Sequence, residues 1–95
     1  MFVAIVRFPS INPEQDTEFR EWFSWSNQVL KNSPGFISRK LIKGKDGSYV
    51  AIVEHSGYDT FTAMHSSSEH RLVHEKALSL FSGTPKPEFF EVVST

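Results

Sequence analysis

The chain alternates between two kinds of hydrophobic spacing. "FVAIVRF" (2–8) is short, β-branched and aromatic and is stopped by Pro9, which predicts a strand. From Asn12 the spacing changes: Phe19, Trp22, Phe23, Ser26, Val29 and Leu30 recur at three and four, while Arg20, Glu21, Ser24 and Lys31 fall opposite. A helix to about Lys31 is expected, with Asn12 as its cap, Pro13 in its first turn and Gln15 completing a capping box. "NSPG" (32–35) ends it. "FISRKLI" (36–42) and "SYVAIVEH" (48–55) flank an Asp46-Gly47 pair, the signature of an antiparallel hairpin. A short helical turn is expected near 59–64, a second long helix from the serines at 66–68 to about Phe81, and a last strand at "EFFEVV" (88–93).

The order β-α-β-β-α-β predicts an α+β, ferredoxin-like sandwich with a four-stranded antiparallel sheet, both helices on one face and strands one and three central. Those two strands are apolar on both alternating faces, whereas strand two carries Arg39 and Lys40, as an edge does. Two helices cover one side only. A second copy of the sheet would cover the other, so a homodimer is expected.

Composition narrows the picture further. Ninety-five residues suffice for one domain, 1–95, and nine phenylalanines supply bulky core material. The absence of cysteine excludes disulfides, thiolate metal sites and thiol nucleophiles. No apolar run approaches the roughly 18 residues of a membrane span, and no signal segment is evident, so a cytoplasmic protein with no membrane partner is expected. A net charge of −1 without basic blocks argues against nucleic acid. Strand three also lacks the basic-Gly-aromatic signature of RNA-recognition domains, which share this topology.

Three of the four histidines lie between residues 65 and 74. On a helical wheel His70 and His74 fall within the arc of Val73, Ala77, Leu80 and Phe81, so both are expected to face inward. One helical turn between them would suit two metal ligands, but a third is lacking, and no metal site is expected. An inward imidazole otherwise serves as an acid/base group, an axial haem ligand or a satisfied core residue. Arg7 and Glu54 lie on one face of the central strands, where they would pair with each other or meet a ligand.

The opening strand, the helix ending in "SPGF", the strand "YVAIVEH" and the stretch from Glu54 to His74 together resemble the antibiotic biosynthesis monooxygenase superfamily of dimeric α/β barrels. The resemblance implies a homodimer and a pocket between sheet and helices for a small apolar or aromatic ligand. It implies cofactor-independent oxidation of a small aromatic or quinone-type substrate by molecular oxygen. His70, His74 or His65 would be the base and Arg7 the oxyanion partner, with Phe61, Met64, Trp22 and Glu54 around the substrate. A haem-degrading branch would make His74 the axial ligand, but Met64 and Arg7 stand where that branch has Trp and Asn. A non-catalytic dimeric module binding a small ligand is the remaining alternative.

Overall fold

The computed structural model describes residues 1–95 and has the expected order. Strand β1 (Phe2–Arg7) leads through a 3₁₀ turn (Pro13–Gln15) into helix α1 (Asp16–Leu30). Strands β2 (Phe36–Lys43) and β3 (Tyr49–His55) form the hairpin, helices α2 (Tyr58–His65) and α3 (Ser68–Ala77) follow, and β4 (Lys86–Glu91) closes the sheet. The sheet is antiparallel throughout, in the order β2-β3-β1-β4, so the two most apolar strands are central as expected. No helix is long and apolar enough to cross a membrane.

Local chemistry explains most boundaries. Asn12 accepts the Glu14 N–H at 2.9 Å and caps the 3₁₀ turn, not α1 itself. The expected capping box does not form, because the Gln15 side chain reaches across to the Ser79 carbonyl at 2.7 Å. Of the three serines, Ser67 caps α3 by accepting the His70 N–H at 3.2 Å. Helix α3 stops at Ala77, four residues before the expected end at Phe81.

Alternation divides the sheet into two faces. Phe2, Ala4, Tyr49, Ala51, Val53 and His55 are buried under the helices with Phe19, Trp22, Phe23, Leu30, Phe61, Met64, Val73, Ala77 and Leu80. Phe19 is fully enclosed in a cage of rings, with Tyr49 at 4.9 Å, Phe8 at 5.1 Å and Trp22 at 5.6 Å between centroids. The Trp22 indole N–H donates to the Val73 carbonyl at 2.9 Å and ties α1 to α3. At the front of α1, Tyr49 donates its hydroxyl proton to Asp16 and accepts from Arg20 Nε at 2.8 Å. On the opposite face Val3, Ile5, Val50 and Ile52 remain half-buried and Ile42 and Phe90 exposed, with no helix above them.

One irregularity decides which side chains reach the interior. Phe36 pairs with His55, but Ser38 and not Ile37 pairs with Glu54, so Ile37 is an extra, exposed residue in a β-bulge. Each later side chain of β2 is thereby moved to the other face. Arg39 consequently lies opposite Val53, beneath the helices.

Candidate functional site

The structure places the eight side chains expected at a site in four different settings. Trp22, Phe61 and Met64 are buried in the core beneath the helices, and Met64 also floors a groove of about 460 Å³ between the end of α1 and α2. His65 and His70 face each other across the α2–α3 junction with ring centroids 4.2 Å apart. Arg7 and Glu54 occupy the helix-free face of the sheet.

Two expectations need correction there. Antiparallel register sets Arg7 opposite Val50 and Glu54 opposite Val3, at opposite ends of the strand pair. Arg7 instead pairs with Glu88 of β4 at 3.1 Å, with both side chains more than half exposed, and Glu54 accepts from the Ser38 hydroxyl. Neither contributes to a pocket between sheet and helices. His74 also differs from expectation, being exposed. Because α3 ends at Ala77, Phe81 no longer belongs to its wheel; the buried arc centres on Val73 and Ala77, with His70 at its rim and His74 beyond it. These residues do not fit a haem: the imidazole expected as axial ligand lies on the solvent side of α3, and Met64 and Phe61 are packed into the core. Nor do three histidine, aspartate or glutamate side chains converge as metal ligands.

His70 is the histidine with the strongest environment. Burial, then the neighbouring His65, Arg39 and His74, push its pKa down to about 4, so the ring is neutral at physiological pH. His65 is shifted down by burial first and by His74 second. The cation that acts on His70 comes from the bulged strand. Arg39 Nη1 donates to Ser26 Oγ and to Asn27 Oδ1, the latter at 2.9 Å, and the guanidinium lies 4.4 Å from the centre of the Phe23 ring. Desolvation pushes its pKa down to about 10, which leaves it charged. Asn27 Nδ2 donates in turn to the Arg39 carbonyl at 2.9 Å and fixes the strand to α1.

Two further residues, His55 and Thr60, were not singled out in the sequence. His55 is fully buried at the end of β3, edge-on to Phe36 and Phe61. Thr60 Oγ1 donates to the Gly57 carbonyl at 2.9 Å, so at 3.1 Å it accepts from His55 Nδ1–H, and the bare Nε2 is sealed without a partner. Burial lowers the His55 pKa as well. Its place at the strand end, where alternation turns it inward, is the one signal that could have found it.

These histidines give stability a definite pH dependence. Their folded pKa values lie below the ordinary value of 6.5, so below that pH the unfolded chain binds more protons than the folded one. Stability should therefore be level above about pH 7 and fall between 6.5 and about 4. After allowance for solvent screening, His70 alone should account for about 1–2 kcal/mol of that fall. Below it, Asp16 and Asp46, both held under their usual range chiefly by hydrogen bonds from Tyr49 and Ser48, add a further loss. Urea titrations from pH 4 to 8 measure this directly; a flat profile between 6.5 and 4.5 would contradict neutral imidazoles in the folded state.

No protein-family model and no curated protein matches the chain. Solved structures do. SnoaB, a cofactor-independent oxygenase from Streptomyces nogalater, superposes with a TM-score of 0.83 at 21% identity, over 99% of this chain and 94% of that one. Rv0793 from Mycobacterium tuberculosis gives 0.82 at 14% identity, over 99% and 96%. A candidate antibiotic biosynthesis monooxygenase from Bordetella bronchiseptica gives 0.84 at 11% identity, over 98% of each chain. The chain thus has, over nearly its whole length, the fold found in the antibiotic biosynthesis monooxygenase superfamily.

Proposed function

We propose that the protein is a cofactor-independent monooxygenase acting on a small, electron-rich aromatic or quinone-type substrate. The observation that carries this reading is a neutral imidazole, His70, at the rim of the buried arc of α3 and within electrostatic reach of the cationic Arg39. SnoaB, which shares the fold, is a cofactor-independent oxygenase.

The chemistry asks two things of the protein. A phenol must lose a proton, and the resulting phenolate must be stabilised where water does not compete. His70 accepts that proton, and its basicity rises as negative charge develops nearby. Arg39 faces that charge. The substrate anion, with electron density at the ring carbon, then reduces molecular oxygen and forms a carbon–oxygen bond to it. Imidazolium returns the proton to the peroxide; its O–O bond breaks as the carbon loses its remaining hydrogen. One oxygen leaves as water and the other stays as a carbonyl, so that CH₂ and O₂ become C=O and H₂O. Oxygen uptake with a panel of hydroquinones and anthrones should be lowered by about a hundredfold or more by His70→Ala, within the usual range for loss of an acid/base group, and little changed by His74→Ala. No uptake above that of His70→Ala would reject the reading and leave ligand-dependent stabilisation without turnover, as expected of a binding module.

The assembly we propose is a homodimer of facing sheets. Val3, Ile5, Val50, Ile52, Ile42 and Phe90 form a contiguous apolar face that no element of the chain covers, and charged Arg7, Glu88 and Lys40 rim it. Sedimentation at micromolar concentration should show twice the 10.8 kDa chain mass, and Ile5→Glu should return the protein to a monomer or prevent its folding. A monomeric wild type would overturn it.

A further inference from the structure

Arg39 is a desolvated cation with no acid beside it. Both ion pairs of the chain lie elsewhere, at Arg7–Glu88 and Arg20–Asp16. Its Nη1 is held by two neutral oxygens, Ser26 Oγ and Asn27 Oδ1. A guanidinium has five N–H groups, so the three on Nε and Nη2 have no acceptor in the protein. They are not sealed either, because His55 Nε2 is the one enclosed side-chain nitrogen or oxygen without a partner. One edge of the fork is pinned to α1, one flat side rests on Phe23, and the other edge is not fully enclosed.

An interior charge without a counter-ion is expensive, and a fold that retains one has its cost reduced when an anion arrives. The free Nε–Nη2 edge offers two parallel donors, the arrangement that matches both oxygens of a carboxylate. The geometry points to Arg39 as the anchor for an aromatic carboxylate, its acid group on the open edge of the fork and its ring near Phe23 and His70. This rests on the aromatic-substrate reading above and narrows it to acids. It also adds a duty: His70 handles the proton, and Arg39, besides facing the developing negative charge, selects the charge of the molecule admitted. A purely structural Arg39 would affect folding but would not distinguish an acid from its amide.

Calorimetric titration of the full chain with 2-naphthoate and the neutral 2-naphthamide tests it. Wild type should prefer the acid by about tenfold or more, the effect of a single desolvated charge-assisted pair. Arg39→Gln should abolish the preference, and Arg39→Lys, which keeps the charge without the fork, should keep only part of it. Thermal melts establish that each variant is folded; if Arg39→Gln is not, the wild-type preference and Arg39→Lys decide. Equal binding of acid and amide, no binding of naphthoate, a preference unchanged in the variants, or competition by inorganic phosphate at the same concentration would each overturn the assignment. Oxygen uptake is read separately. Arg39-dependent acid binding without turnover would sink the oxygenase reading alone, and turnover without acid preference would sink this one alone.

Discussion

Phe19→Ala should lose about 3–5 kcal/mol of folding stability, a large part of the 5–15 kcal/mol that domains typically possess. The residue is fully buried and touches the rings of Phe8, Trp22, Tyr49 and Phe81, which come from the end of β1, from α1, from β3 and from the turn after α3. Removing its ring leaves a void among side chains that belong to four separate elements. They cannot collapse into it together without shifting α1 on the sheet. Urea melts at fixed protein concentration should show a lower midpoint at unchanged slope. A loss below about 1 kcal/mol would mean that the ring cage closes over the gap and that the core is far more plastic than close packing allows.

The second large effect is expected at Gly35, in the turn between α1 and β2. Its φ of +83° costs an L residue about 1–2 kcal/mol, and a Cβ there would lie 2.6 Å from Ser56 Oγ and from Thr60 Cβ and Oγ1. Overlap of that kind adds about 1–3 kcal/mol. Gly47 in the hairpin provides the comparison, because its φ is +89° but nothing lies within 4 Å of a Cβ. Gly35→Ala should therefore destabilise by about 2–5 kcal/mol and Gly47→Ala by only about 1–2. The excess also has a chemical readout. Displacing Thr60 removes the acceptor of His55 Nδ1–H, so the His55 ring signals in an NMR spectrum should move in Gly35→Ala and not in Gly47→Ala. Equal losses from the two variants would show that crowding against Thr60 plays no part.

Hydrophobic spacing was enough for the order of elements, the antiparallel sheet with β1 and β3 in the middle and the inward face of α1, because each depends on periodicity sustained over several residues. The site was legible only in fragments. His70 was visible as a helical residue near the buried arc. His74 was misplaced because the end of α3 is set by a turn at Leu78–Leu80, and helix ends carry a weaker signal than helix faces. Arg39 was invisible for a different reason. Strict alternation from Phe36 assigns it to the open face together with Ile37, and a single unpaired residue reverses that assignment without leaving a mark in composition. Arg7 and Glu54 were placed on the correct face, yet the pairing between them required a register that antiparallel strands of this length do not provide.

Strand β4 has a consequence for the order of assembly. All six of its residues are exposed, it hydrogen-bonds to β1 alone, and its partner lies at the far end of the sequence. The β2–β3 hairpin, by contrast, closes over five residues, and α1 meets α3 through side chains already in place before β4 is made. During synthesis on the ribosome, three strands and every helix can therefore emerge and begin to pack while β1 still shows a bare edge. Pairing of β4 ends that interval, covering the β1 edge and making β1 an inner strand.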